Sequence, residues 1–211
     1  MKKIVGFWNP SVILTYLGLE ISVFGMFLAA RQVHISYVFI CFILAGICDV
    51  FDGAVARKIK RTEEEKAFGI ELDSLADVIS FVVFPVIIFC RLGFLNIFHL
   101  AVYLIFALAG IARLGYFNVT TADSEGPVKY YMGLPVTYTS LVFPIFFPIA
   151  FFMKDIVPTQ YSMPLCMLIV AILEVLKVRV GKPRGIAYVL VLFFAILFII
   201  FYIAAARINY L

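Results

Sequence analysis

Apolar residues run along this chain in windows of about 20, at residues 12–30, 35–56, 69–90, 95–117, 132–153, 157–176 and 185–206, with short polar stretches between them. At helical rise that length crosses the roughly 30 Å hydrocarbon core of a bilayer. The pattern therefore predicts an all-α, polytopic helix bundle with seven spans, treated as one domain over residues 1–211. Pro144 and Pro148 are expected to bend the fifth span, because proline withholds a helical N–H. Before the first span, Lys2, Lys3, Phe7 and Trp8 read as a short interfacial helix at headgroup depth. No cleaved leader is expected, because Met1–Trp8 is short and no small-residue cleavage site follows it.

Composition strengthens this picture. Of the 211 residues, 64% are hydrophobic and only 14% charged, against about 25% charged in an ordinary soluble domain. Mean hydropathy is +1.09. Such an excess of apolar surface faces lipid. The net charge of +4 does not point to nucleic acid, because the cations cluster at the span ends. With a cytoplasmic N-terminus, twelve Lys and Arg fall in inside segments (Lys2, Lys3, Arg57–Lys66, Lys129, Lys177–Arg184) and four outside (Arg31, Arg91, Lys154, Arg207). That asymmetry predicts the orientation. The four cysteines have no metal spacing and read as small buried hydrophobes.

Acids at membrane depth carry the chemistry. A carboxylate there persists only when it faces partners, water or ions. Asp49, Asp52, Glu71, Asp73 and Asp77 sit near the cytoplasmic ends of spans two and three. Asp49, Asp52 and Ala56 share one helical stripe; Gly69, Asp73 and Asp77 share another. A connection of some twelve residues lets the two helices run antiparallel with the stripes facing. Four carboxylates in a low-dielectric cleft do not stay ionised unaided. Two hard cations, Mg²⁺ or Mn²⁺, suit an all-oxygen ligand set, and paired metals suit displacement at phosphorus. Gly53 and Gly69 leave room for a nucleotide or phosphate against helix backbone, and Arg57 can fork onto a phosphate. Two other readings stand beside this one: salt bridges from the acids to Arg57, Lys58 or Arg113, and a cation pathway through an ion-coupled transporter. The clustering of the acids at one face weighs against the transporter.

The series Asp49-x2-Asp52-Gly53-x2-Ala56-Arg57 … Gly69-x3-Asp73-x3-Asp77 resembles the signature of the CDP-alcohol phosphotransferase family. The gap between Arg57 and Gly69 is eleven residues, where about eight are usual; the excess is expected in a loop at Arg61–Lys66. Three further stretches, Phe68–Phe81, Ala112–Asn118 and Met132–Pro135, are similar to the serine-accepting branch, the CDP-diacylglycerol–serine O-phosphatidyltransferases. The resemblance implies a six-span core with an extra C-terminal span, a homodimer, and transfer of a phosphatidyl-type group from a CDP-lipid (CDP-diacylglycerol or CDP-archaeol) to L-serine with release of CMP. It carries over Asp49, Asp52, Asp73 and Asp77 as metal ligands, with Asp77 also the base. Asp52, Gly53, Ala56, Arg57, Gly69 and Asp73 carry over as the CDP-binding surface. Other acceptors, glycerol phosphate or inositol phosphate, need more cations near the site than Arg113 provides.

Arg113, Asn9 and Thr15 keep two readings each. Arg113 binds serine's carboxylate, or pairs with an acid or caps helix carbonyls. Asn118, with the loop Asp123–Tyr131, reads the amino acid's charged groups. Asn9 and Thr15 face the nucleotide, or serve as a helix cap and an interfacial hydroxyl. Glu20 has no assigned role, and His34 lies in an outside loop.

Overall fold

The computed structural model describes residues 5–121, 130–181 and 186–208. Among the described residues seven helical segments run through it: α1 (Ile13–Ala30), α2 (Ile35–Ala56), α3 (Glu63–Asp77) continuing through a π-helical turn (Val78–Val83) into α4 (Phe84–Arg91), α5 (Ile97–Thr121), α6 (Thr139–Phe152), α7 (Thr159–Val175) and α8 (Ile186–Arg207). Five of these stretches are long and apolar enough to cross a membrane; Val136–Phe152 and Thr159–Val175 are shorter apolar helices. The bundle is thus the polytopic helical one the hydropathy predicts. A small addition is an antiparallel ribbon of β1 (Tyr130–Met132) on β2 (Arg179–Gly181), in which Tyr131 pairs with Val180.

Three element boundaries differ from the sequence expectation. Residues 5–9 are irregular and lead into a 3-10 turn, Pro10–Val12, so the expected interfacial helix is not formed there; Lys2 and Lys3 lie outside the described residues. Glu63–Lys66 is helix and not loop. Thr62 and Glu65 form a reciprocal capping box, and Glu63, Glu64 and Glu65 occupy the first turn, where the helix dipole favours anions. The three extra residues therefore extend α3, and the connection from α2 shrinks to residues 57–62. The fifth apolar window gives only fourteen residues of α6. Its start is spent on β1, a turn at Gly133 and a 3-10 turn at Val136–Tyr138. Gly133 has φ +75°, and a Cβ there would stand 2.1 Å from the Glu174 carbonyl oxygen. Glycine is needed for both reasons.

Close helix approach relies on small residues, as in other membrane bundles. On α1, a Cβ on Gly25 would meet Cys41 of α2 at 2.8 Å and Phe84 at 2.3 Å. Where α1 passes the π-helical turn, the Ser22 and Ser80 hydroxyls lie 2.8 Å apart.

Prolines inside spans shape the rest. Each removes a donor from the carbonyl one turn back, and a bare carbonyl in an apolar interior is costly. In three cases a side chain of another helix meets that carbonyl. The Thr139 hydroxyl lies 3.3 Å from Phe81 O, which Pro85 leaves open. The Tyr202 hydroxyl donates to Pro144 O at 2.7 Å, opposite Pro148. His99 Nε2 lies 2.9 Å from Gln160 O, opposite Pro164. His99 Nδ1 accepts from Asn96 N–H, so Nε2 carries the proton. These polar pins dock α6, α8 and α5 at defined registers. Tyr202→Phe is accordingly expected to cost about 1 kcal/mol. It should lower Tm in detergent by about 2–4 °C; an unchanged melting curve would show that the pin is dispensable.

Charges segregate to the two ends of the bundle. Arg91 Nη2 donates to the Gln32 and Val33 carbonyls at 3.1 and 3.2 Å, and Arg91, His34 and Lys154 line one cleft at that end. The Asp signature, Arg57 and the β ribbon lie at the other.

Candidate active site

α1 packs against both α2 and α3, and beside it the two acidic stripes converge. Carboxylate oxygens of Asp49, Asp52 and Asp73 all lie within 4.8 Å of one another. Asp77 stands just deeper, one turn after Asp73, within hydrogen-bonding reach of Asp49. Asp52 and Asp77 are buried. Glu71, on the same helix, is exposed and turned away. Of the five acids read from the sequence, four converge.

Neighbouring groups hold this cluster in place. The Thr15 hydroxyl of α1 donates to Asp52 Oδ2 at 3.0 Å, which favours its site reading over an idle interfacial hydroxyl. Asn9 takes its other reading: its Oδ1 caps the 3-10 turn by accepting from Ser11 N–H at 3.0 Å. Immediately after Asp77 the helix widens into the π-helical turn, a feature that often sits at functional sites.

A cleft of about 1170 Å³ opens above the carboxylates. Asp49, Asp52, Asp73 and Asp77 form its floor, and Gly53, Arg57, Arg113 and Asn118 line its walls. Gly69 and Ala56 flank the cleft without lining it. Arg113 is only 7% exposed, with its guanidinium 5.2 Å from the Phe117 ring centroid. Asn118 Nδ2 donates to Ser74 Oγ at 2.8 Å, which ties α5 to α3. The loop Asp123–Lys129 lies outside the described residues, as do the side chains of Tyr130 and Tyr131. A narrow apolar slot between α2, α6 and α8 adjoins the cleft, sharing Val50, Thr137, Tyr138 and Tyr188 with it.

Two residues of this region escape a reading of the sequence. Thr137 lines the cleft with Asp49, although the Pro135–Thr139 stretch looks only like a helix bend. Glu174, in the last turn of α7, is 2% exposed. Neither of its carboxylate oxygens has a hydrogen-bond partner, and its charge faces Arg113. A lone acid in an apolar run was the available signal.

The donor set suits a hard divalent cation. Its oxygens come from carboxylates alone, and Asp73 Oδ1 is shielded from water with no hydrogen-bond partner. A buried acceptor left open in that way is costly unless something occupies it.

Comparison with known proteins agrees with this geometry. A family model described as CDP-alcohol phosphatidyltransferase matches residues 8–175. The chain is similar to CDP-diacylglycerol–serine O-phosphatidyltransferase of Saccharomyces cerevisiae, 45% identical over 104 residues, covering 46% of this chain and 37% of the yeast protein. It is also similar to archaetidylserine synthase of Methanothermobacter thermautotrophicus, 30% identical over 171 residues, covering 81% and 65% of the two chains. A third relative, CDP-diacylglycerol–serine O-phosphatidyltransferase of Helicobacter pylori, is 34% identical over 139 residues, covering 61% and 54%. The matched part is less than two thirds of each relative's length.

Proposed function

The chain belongs to the CDP-alcohol phosphatidyltransferase family, and from that premise we propose that it transfers the phosphatidyl-type group of a CDP-lipid to the hydroxyl of L-serine, releasing CMP. The observation that carries this reading is the convergence of Asp49, Asp52, Asp73 and Asp77 beneath a cleft that continues into an apolar slot. Serine appears in the names of all three relatives above, while the lipid differs between them. An apolar, lipid-facing surface would suit diacyl and ether-isoprenoid tails alike, since both are simply apolar.

Asp49, Asp52, Asp73 and Asp77 would hold two divalent cations, Mg²⁺ or Mn²⁺, which when bound supply positive charge to the diphosphate. The chain's own residues do the rest. Asp77 takes the proton of the serine hydroxyl as that oxygen bonds to the lipid-side phosphorus. The bond from phosphorus to the bridging oxygen breaks, and CMP leaves. Thr15 orients Asp52, while Gly53, Ala56, Arg57 and Gly69 form the surface for the nucleotide. Arg113 and Asn118, on one wall, receive serine's carboxylate. The excess of cations at the Asp end supports a cytoplasmic position for that end. Family resemblance argues for a homodimer of this single membrane domain.

The test is CMP release by purified protein given a CDP-lipid and Mg²⁺ or Mn²⁺. Serine should support release, and glycerol phosphate and inositol phosphate should not; a preference for either phosphate would overturn the acceptor assignment. In the same assay Arg113→Lys keeps the charge but loses the two-point fork. The serine KM should rise about 10- to 100-fold, the value of one charge-assisted hydrogen bond, with the CDP-lipid KM little changed. A raised lipid KM with serine unaffected would move Arg113 to the phosphates.

A further inference from the structure

Both glycines of the acidic signature carry a guanidinium group. Arg57 Nη1 lies 3.3 Å from where a Cβ on Gly53 would stand, and Arg61 Nη1 lies 3.6 Å from the same point on Gly69. Gly53 directly follows Asp52, and Gly69 precedes Asp73 by one turn. The two arginines therefore stand beside the two glycines of the signature, Arg57 at the end of α2 and Arg61 on the strap before α3. Arg57 belongs to the family signature. Arg61 does not, and the sequence places it in an unassigned insertion. Because the helix begins at Glu63, Arg61 is held on the short strap over α3, and does not trail into solvent.

Its surroundings leave it in need of an anion. Arg61 Nε is shielded from water and meets no acceptor. Three glutamates follow within four residues, yet none of them forms a salt bridge with it. Glu63 pairs with Lys66 at 2.6 Å, which is the salt bridge found among the described residues, and Glu65 accepts from Thr62 N–H at 2.9 Å. A planar guanidinium laid on bare glycine backbone, beside an acidic cleft and without an acid of its own, has the chemistry of a phosphate ligand.

We propose that Arg61 is a second phosphate-binding arginine, which clamps the diphosphate of the CDP-lipid from the α3 side while Arg57 does so from the α2 side. This rests on the CDP-lipid reading above and adds a residue that the family signature lacks.

The test uses the full-length purified protein, with Arg61→Ala and Arg61→Lys compared with wild type. Two readouts are taken, the CDP-lipid KM in the serine assay and the affinity for CDP by titration calorimetry, which needs no turnover. Arg61→Ala should weaken both about 10-fold, with serine KM and kcat at saturating CDP-lipid retained. Arg61→Lys should recover most of the loss, because a phosphate responds to charge. CDP affinity within about twofold of wild type in Arg61→Ala, or no recovery in Arg61→Lys, would overturn the proposal. Serine-dependent CMP release by the wild type is scored separately. An active enzyme indifferent to Arg61→Ala therefore refutes this assignment alone, and a wild type that binds no CDP refutes both.

Discussion

Stripping divalent cations should abolish CMP release, and returning Mg²⁺ or Mn²⁺ should restore it. Three carboxylates with oxygens within 4.8 Å of one another, and a fourth touching Asp49, repel strongly in a partly desolvated cleft. The nearby cations are too few to balance them: Arg113 also faces Glu174, and Arg57 is exposed at the rim. Asp73 Oδ1 has no donor at all. The CDP-lipid adds further negative charge to this cluster when it binds. Without cations, therefore, substrate binding and turnover should both fail, leaving no measurable rate above the uncatalysed background. The check is CMP release in excess EDTA after elemental analysis verifies metal removal, followed by titration with each ion. Full activity in the verified metal-free protein would remove the metal reading of the cluster.

Asp77→Asn should lower kcat by at least about 10²-fold, the usual contribution of a positioned general base. Asparagine keeps the size of the side chain, so packing around this buried position should survive. What it loses is the capacity to take a proton. Asp52→Asn should behave differently. Asp52 stands next to Gly53 and accepts from Thr15 at 3.0 Å, so its loss should raise the CDP-lipid KM more than that of Asp77. Side-by-side steady-state kinetics of the two variants separate the roles. Near-wild-type turnover in Asp77→Asn would show that Asp77 is neither the base nor an essential ligand.

The apolar helical segments, the acidic stripes and the segregation of charge to the two ends follow from local pattern alone. A helix needs about 20 apolar residues to cross lipid, and spacings of three, four and seven place residues on one face whatever the helix packs against. Asp49, Asp52, Asp73 and Asp77 were legible for that reason, and their rarity at membrane depth made them conspicuous.

Tertiary structure decided what depends on a partner distant in sequence. Thr137 and Glu174 look like an ordinary helix-entry residue and a lone terminal acid until α6 and α7 fold against the site. His99, Thr139 and Tyr202 look incidental until each meets the carbonyl that a proline on another element has left without a donor. Arg61 reads as loop charge until the capping box at Thr62 begins the helix early and lays its guanidinium on Gly69. Periodicity reports only which face of its own helix a side chain occupies. Which groups stand opposite that face is set by helix packing, where small residues allow close approach and every buried polar atom needs a partner.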